Sequence, residues 1–232
     1  MNAGPVAVVD TDPQGSLSQW WNARKAETPV FLKTRVDYLM NDLEELRDKG
    51  LKLVFVDSPP AVTGIIEQIV SHADLVVVPI RPSPHDLRAV GATLDIIEAQ
   101  GKPLIFAVNG AMPQAQITSE TAVALSQHGT VAPSTIHQRT DFATSMINGG
   151  TVMESQPDSP SAAEIAELWQ YIFSRLEKME RRRRRQTPLP GPDRSLPNQG
   201  HAFPEHVEAT SQARATFGRR NSLGGQQFEK AV

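Results

Sequence analysis

Residues 6–16 read VAVVDTDPQGS, and this stretch decides the fold. Four apolar residues, Val6 to Val9, run directly into Asp10, a pattern typical of a buried strand with a carboxylate at its C-terminal end. The residues from Asp12 to Ser16 then have turn chemistry. Because ligands of open parallel sheets bind at the C-terminal ends of the strands, the stretch predicts a strand tip that serves a ligand site.

A second stretch repeats this design. Residues 51–60 read LKLVFVDSPP, a buried-strand pattern that ends at Asp57. Two carboxylate-ended strands in one small chain indicate a site made from neighbouring strand tips, which we expect to hold a metal and polarise a water. Asp10 and Asp12 lie two residues apart, so on an extended strand they point the same way. That arrangement suits a shared cation and costs repulsion without one.

Strand and helix patterns alternate along the rest of the chain. Apolar runs predict further strands at residues 30–34, 74–80, 103–108 and 130–136. Helical spacing of apolar residues predicts helices at 36–49, 65–70, 85–100, 117–128 and 141–148, and a last helix from 159, with an apolar stripe to 176, that runs into the arginines at 181–185. Residues 17–26 form either a short helix or an ordered loop. The alternation predicts an α/β domain with helices on both faces of a parallel sheet, a three-layer α/β/α arrangement.

Length and composition exclude several classes of protein and of site. The 232 residues suffice for one α/β domain and a tail. The absence of cysteine excludes disulfides, thiolate metal sites and a cysteine nucleophile. No secretory signal is visible at the start, and no apolar run approaches the roughly 18 residues of a membrane span. We therefore expect a cytoplasmic protein.

The C-terminal part differs from the rest. We predict an α/β domain over residues 1–180 and a basic, Pro/Gly-rich disordered tail over residues 181–232. Arg181 to Arg185 are consecutive. They can cap the preceding helix, bind nucleic acid or bind an anionic membrane. A membrane helix needs an apolar face beside the basic one, and none follows Arg185, so DNA is preferred.

Several motifs occur in the same order in this chain as in one family of proteins. Residues 10–16 resemble the DxDPQG segment of ParA-type ATPases, of the ParA/MinD group of deviant-Walker P-loop proteins, and residues 54–60 look like their Walker B strand. Residues 75–84, 108–109, 136–154 and 162–176 resemble later strands, loops and the closing helix of the group. DPQG alone is a weak pattern, but the ordered set, from Val6 to Lys178, is specific.

The resemblance implies roles for the carboxylates. Asp57, at the Walker B position, is expected to bind Mg²⁺, and Mg²⁺ bridges the phosphates of ATP. Asp12 is expected to orient the attacking water, and Asp10 to support Mg²⁺ or the switch. The alternative for Asp57 is a cap of the turn into Pro59-Pro60, and for Asp12 a turn residue before Pro13.

Other residues receive roles in the same way. Asn109 is a candidate for the adenine edge, because an amide offers both a donor and an acceptor, and the alternative is a strand-end turn with Gly110. Ser58 is a candidate supporting group beside the nucleotide. Arg139, Arg181, Arg182 and Arg183 are candidates for DNA phosphates. For Arg139 the alternative is an ordinary surface arginine.

One motif of the group does not occur in the 232 residues. The phosphate-binding loop KGGxGKT follows the first strand in the group, but only nine residues precede Asp10 here. We expect a domain that lacks its first strand and helix, through truncation or through degeneration, and truncation is favoured because the other motifs look intact. Without the loop we expect no measurable ATP hydrolysis, and without the strand two exposed strand edges.

The resemblance implies a partition ATPase. ATP with Mg²⁺ would drive formation of a homodimer that binds DNA without sequence preference, in a nucleoid-associated cycle. A ParB-like partner would stimulate hydrolysis, and the cycle would move a plasmid or chromosome locus. Two alternatives stay open: a non-catalytic DNA-binding or regulatory remnant, and a MinD-like regulator at the membrane surface.

Overall fold

The structure, a computed structural model, describes residues 4–60 and 64–186. The chain divides into two units, residues 1–177 and 178–232, and of the second only residues 178–186 are described. Most of the predicted tail, residues 187–232, therefore lies outside the described residues.

The first sheet is parallel and has the order β2-β1-β3. Its strands are Val6–Asp10 (β1), Val30–Lys33 (β2) and Leu53–Asp57 (β3). In the register, Asp10 lies between Lys33 on one side and Asp57 on the other. The prediction of two adjoining carboxylate-ended strands is confirmed, as is that of a strand near residue 30.

The second sheet is also parallel, with β5 between β4 and the two short strands β6 and β7. Its strands are Val76–Ile80 (β4), Leu104–Ala111 (β5), Thr130–Val131 (β6) and Ile136–His137 (β7). The single strand predicted at 130–136 is wrong, since two residue pairs form separate strands there. β5 also continues past its predicted end at Val108, through an irregularity between Asn109 and Ala111.

Nine α-helices are found within residues 4–60 and 64–186. They are Ser16–Ala23 (α1), Leu39–Asp48 (α2), Gly64–His72 (α3), Pro84–Ala89 (α4), Gly91–Ala99 (α5), Gln116–Ser126 (α6), Thr140–Met146 (α7), Val152–Ser155 (α8) and Pro160–Gln186 (α9). A 3₁₀ turn, Val36–Tyr38, leads into α2. The single helix predicted at 85–100 is wrong: it breaks at Val90, before Gly91, and glycine is a poor helix former.

Helices cover both faces of the strand layer. On one face, Ile69 of α3 packs with β1, and Ile66 and Val70 of the same helix pack with β4 and β5. On the other face, Ile172 of α9 packs with Ile105 of β5. This three-layer arrangement confirms the predicted fold class.

The last helix runs into the arginines, as the sequence predicted. α9 is described as far as Gln186, so Arg181 to Arg185 belong to the helix, and all five are exposed. The domain boundary predicted between residues 180 and 181 falls inside this helix.

Candidate functional site

The tips of β1 and β3 are joined directly. Thr11 donates two hydrogen bonds to the carbonyl oxygen of Asp57, from its amide at 3.2 Å and from its hydroxyl at 2.5 Å. Asp10 and Asp57 are partners in the strand register. The structure thus brings the three predicted carboxylates, Asp10, Asp12 and Asp57, to one edge of the first sheet. We call them the tip carboxylates.

Asp10 is fully buried and holds the start of α1. Its Oδ2 accepts hydrogen bonds from the amide of Ser18, at 2.8 Å, and from the Ser18 hydroxyl. Its Oδ1 accepts from the amide of Asp12 at 3.1 Å. The N-cap residue, Gly15, has no side chain, so Asp10 satisfies a free amide of the first turn in its place. Asp10 therefore positions the Asp12 turn, and its predicted contact with Mg²⁺ stays a prediction.

Asp12 is half-buried in a tight turn. Its Oδ1 accepts from the amide of Gln14 at 2.9 Å, and its carbonyl accepts from Gly15 at 3.0 Å. Gly15 has φ +68°, and a Cβ there would lie 2.8 Å from the Lys33 ammonium. The positive φ favours glycine at this position, whereas the flexible Lys33 side chain could move aside. The predicted turn is present, and it leaves the second carboxylate oxygen of Asp12 without a protein hydrogen bond among the described residues.

Asp57 is the tip carboxylate whose surroundings most disfavour the charged form. The residue is exposed, yet its carboxyl lies at a crowded strand tip. Loss of water there, followed by the negative charges of Asp10 and Asp12, raises the pKa of Asp57, and the Ser58 amide opposes this only in part. Within residues 4–60 and 64–186, no basic side chain forms an ion pair with it. A bound cation would remove this electrostatic cost.

The tip carboxylates fit one side of a magnesium site. In the described parts of the chain, no three Asp, Glu, His or Cys side chains form a ready-made cation cage. Magnesium does not need one, because it is usually held by one or two carboxylates together with phosphate oxygens and waters. Asp57, with Asp12 beside it, meets the protein's share of that requirement.

Asn109 lies in the other sheet, on β5. It is exposed and pairs in the register with Ile136 of β7. The alternative prediction for Asn109, a turn with Gly110 at the end of the strand, is wrong, because both residues belong to the strand. Gly110 nevertheless has φ +65° and lies against the Arg81 side chain. The contact of Asn109 with the adenine edge stays a prediction.

Arg139 is a partly exposed residue that forms an ion pair with Glu164. Its Nη1 donates to Oε2 of Glu164 at 2.6 Å, and the same carboxylate accepts from the His137 amide at 3.0 Å and lies 2.8 Å from His137 Nδ1. Burial pushes the pKa of Glu164 up, but the hydrogen bonds from Arg139 and His137 outweigh it and leave the pKa below its ordinary value. Arg139 therefore joins β7 to the start of α9, and this pairing limits its access to DNA.

The sequence reasoning missed a second charge cluster. Arg24, which is buried, forms a two-pronged ion pair with Glu154 at 2.5 and 2.8 Å. It also donates to the carbonyls of Thr28 at 2.7 Å and Gly149 at 2.9 Å. We call these contacts the Arg24 clamp. Because Arg24 and Glu154 are 130 residues apart, no local pattern could have found the pair.

The clamp joins α1 to the loop before α8. The Trp20 ring stacks on Arg24, with the guanidinium 5.3 Å from the ring centroid, and the Trp20 indole donates to Gly150 at 3.0 Å. Gly149 has φ +67°, and any Cβ there would collide with the Arg24 backbone. Hydrogen bonds from Arg24 lower the pKa of Glu154 to about 2. The clamp thereby fixes the helix that Asp10 holds at its other end.

None of the helices in residues 4–60 and 64–186 is long and apolar enough to cross a membrane.

Solved structures with this architecture define the class. MinD of Pyrococcus furiosus aligns with a TM-score of 0.57 at 13% identity, over 73% of this chain and 85% of that one. A ParA family ATPase of Chlorobium tepidum aligns with a TM-score of 0.55 at 18% identity, over 71% and 85%. Apo McdA of Cyanothece aligns with a TM-score of 0.55 at 15% identity, over 72% and 87%. The chain has the fold of the ParA/MinD-type deviant-Walker P-loop ATPases, and the predicted resemblance is confirmed.

Sequence comparison narrows the similarity within that class. The chain is 28% identical over 172 residues to Maintenance of carboxysome distribution protein A of Halothiobacillus neapolitanus, covering 69% of this chain and 79% of that protein. It is 37% identical over 91 residues to the protein of that name from Gloeobacter kilaueensis, covering 38% and 41%. No protein-family model matches the chain.

Proposed function

We propose that this protein is a ParA-like ATPase component that distributes a large cargo within the cell. The observation that carries the proposal is the set of tip carboxylates, with Asp57 left without a cationic partner in the described residues, on a fold shared with ParA and MinD proteins. The names of the sequence relatives support a carboxysome as the cargo. A plasmid or chromosome locus, expected from the motifs, is the alternative cargo.

Mg²⁺ with ATP is the proposed cofactor. Structural neighbours include an ATP complex of a Cyanothece McdA variant and a Mg-ADP complex of Pyrococcus horikoshii MinD. Bound Mg²⁺ neutralises phosphate charge and so favours phosphoryl transfer to water. In this chain, Asp57 would hold the ion, usually through a water, and Ser58 would support it. The second carboxylate oxygen of Asp12 would orient the attacking water.

The remaining site residues take supporting roles. Asp10 positions Asp12 through the buried hydrogen bonds to Asp12 and Ser18. Asn109, exposed near the end of β5, would contact the adenine edge. The 232 residues contain no KGGxGKT loop, so the lysine and amides that would hold the phosphates are not among them. We therefore expect residues 1–232 alone to show no measurable ATP hydrolysis.

DNA is the proposed surface on which the protein acts. Arg181, Arg182 and Arg183 are exposed on the last turns of α9, where Met179 is the one apolar side chain among residues 178–186. Such a surface suits phosphate contacts better than insertion into lipid, which requires an apolar face. In the proposed cycle a homodimer binds DNA without sequence preference, and a ParB-like partner stimulates hydrolysis and release. This cycle takes place in the cytoplasm at the nucleoid.

Fluorescence anisotropy with a random-sequence DNA duplex tests the DNA step. We expect binding that weakens steeply with salt. Replacing Arg181, Arg182 and Arg183 by Gln should reduce the slope of log K against log salt by about 2.7, because each phosphate contact contributes about 0.9. Replacing Arg35, which is exposed on the other unit, by Gln is the matched control and should leave the slope unchanged. An unchanged slope in the triple variant, or binding to anionic vesicles in preference to DNA, would overturn this step.

A further inference from the structure

The end of α7 and the start of α8 expose large apolar side chains close together. Ile147 is 71% exposed, Met146 54% and Met153 44%, and all three lie within residues 146–153. α7 packs against α8, so these side chains belong to one region of the surface. Single exposed apolar residues are ordinary, whereas an exposed group of them is a feature of interaction sites. We call residues 140–153 the α7–α8 surface.

The polar side chains of α7 direct their hydrogen bonds to the backbone of the helix. The Thr144 hydroxyl donates to the carbonyl oxygens of Thr140, at 3.1 Å, and Asp141, at 3.2 Å. The Ser145 hydroxyl donates to the Phe142 carbonyl at 2.9 Å. Burying a polar group is costly where it lacks a hydrogen bond, and these hydroxyls already have one. The surface can therefore be covered at little cost.

One face of α7 is exposed and carries no charge. Its members follow the spacing i, i+3, i+4 and i+7, which places them on the same side of the helix: Thr140, Ala143, Thr144 and Ile147. Such a face matches the apolar stripe of a second helix, which repeats at the same spacing. The two methionines beside it are unbranched and flexible, so they can adapt their shape to a bound helix.

Contacts with distant parts of the chain hold the α7–α8 surface in place. The Arg24 clamp fixes the connection between the two helices through Gly149 and Glu154. The hydroxyl of Ser161, in the first turn of α9, donates to Asp141 of α7 at 2.9 Å. Because the surface is already formed, binding a partner does not carry the entropic cost of ordering it.

The charges around the α7–α8 surface are mainly acidic. Residues 140–160 contain three acidic residues, Asp141, Glu154 and Asp158, and no basic one. Glu154 is paired with Arg24. In the described parts of the chain, no basic side chain forms an ion pair with Asp141 or Asp158. Two negative charges therefore remain beside the apolar side chains.

This negative charge limits what can cover the surface. Arg139, which precedes α7, does not reverse the balance, because its ion pair with Glu164 neutralises its charge. Like charges repel, so the surface disfavours DNA, an anionic membrane and the same face of a second copy of the chain. A cationic protein segment is the occupant that the charge favours.

We propose that the α7–α8 surface binds an amphipathic helix of a partner protein, whose apolar stripe is flanked by lysine or arginine. The apolar stripe would cover Met146, Ile147 and Met153, and the basic residues would lie beside Asp141 and Asp158. The inference rests on the proposed function only in taking this helix to belong to the partner of that cycle. Docking requires neither nucleotide nor DNA, so its failure would leave the tip carboxylates and the DNA step untouched.

A synthetic peptide tests the proposal on the full chain. The probe is a fluorescent helix of about 15 residues, with leucine and alanine on one stripe and lysine elsewhere. We expect saturable binding by fluorescence anisotropy, and shifts of the amide signals of residues 140–155 in the ¹⁵N-labelled protein. Two control peptides, one with the stripe scrambled and one with glutamate in place of lysine, should each bind about tenfold or more weakly. The proposal is overturned if either control binds equally, or if the shifts lie elsewhere.

Matched variants complete the test. Ile147→Asp and Met153→Asp should each weaken peptide binding by about tenfold or more, because docking would bury an unpaired charge. Val123→Asp, which also replaces an exposed apolar residue but on α6, should bind the peptide as the wild type does. Equal binding by all three variants would overturn the proposal. So would a change in molecular mass by light scattering in Ile147→Asp without peptide, which would assign the surface to a contact between copies.

Discussion

Two sets of acidic residues in this protein have opposite surroundings. Glu154 and Glu164 each accept hydrogen bonds from an arginine, Arg24 and Arg139 respectively, and the pKa of each glutamate is lowered. The tip carboxylates lie close to one another, with no ion pair to a basic side chain in the described chain, and the pKa of Asp57 is raised.

The difference separates the glutamates with a structural role from the carboxylates that are candidates for ligand binding. A paired glutamate with satisfied hydrogen bonds holds distant parts of the chain together. An unbalanced carboxylate at a strand tip costs folding free energy, and a site with perturbed pKa values and no structural partner is a candidate for ligand binding. The two sets should therefore respond in opposite directions to mutation.

The largest expected effect is the loss of the Arg24 clamp. Arg24→Ala should lower the free energy of unfolding by about 3 kcal/mol, the lower end for a broken buried pair, because the Glu154 side chain is 47% exposed. Chemical denaturation measures this loss. Arg35→Ala is the control, since Arg35 forms an exposed pair with Asp37 and should cost less than about 1 kcal/mol. If Arg24→Ala and Arg35→Ala lose the same free energy of unfolding, the Arg24 clamp is no more stabilising than an exposed ion pair.

The acid dependence of the clamp is the next effect. The pKa of Glu154 is about 2 in the folded protein, against an ordinary value of 4.5. A lowered carboxyl pKa contributes stability that is fully present above the unfolded pKa and is lost as the pH falls toward the folded pKa. The stability difference between the wild type and Glu154→Gln should thus be constant above pH 5 and shrink between about pH 4.5 and pH 2. A difference that does not change with pH would contradict the pairing.

The smallest expected effect is a gain in stability, where the two preceding variants lose stability. Asp57→Asn should raise the melting temperature slightly in metal-free buffer, because the charged carboxylate is disfavoured in the folded state. The raised pKa of Asp57 means that the cost is present at neutral pH and is relieved as the pH falls through the folded pKa. Asp158→Asn, at an exposed loop position, is the control and should change nothing. If Asp57→Asn lowers the melting temperature, the charged Asp57 side chain stabilises the fold, which contradicts this prediction.

The strands were predictable because each of the longer ones is a short apolar run, and in β1 and β3 the run leads directly into an aspartate. The degree to which each strand is buried was not predictable from these runs. β3 and β5 look equally buried in the sequence, yet Phe55 is 42% exposed and Phe106 is fully buried. The difference comes from the neighbours of each strand, which a local pattern does not contain. The extension of β5 past Asn109 likewise depends on strand pairing.

The candidate site was predictable in part for a related reason. The tip carboxylates follow from two local motifs and from the rule that parallel strands end at one edge. The Asp10 carboxylate is held by hydrogen bonds from Ser18, eight residues later in α1, and the Arg24 clamp depends on Glu154. Contacts of this kind arise only when the chain has folded, so the motifs located the site but not the residues that position it.

The central claim is that the tip carboxylates form the metal side of the site. Adding Mn²⁺ to the ¹⁵N-labelled protein tests it most directly, because the paramagnetic ion broadens the amide signals of nearby residues. We predict selective broadening at Thr11, Asp12 and Ser58 that disappears in Asp57→Asn and persists in Asp158→Asn. Broadening that persists in Asp57→Asn, or that centres on another part of the protein, would contradict the claim.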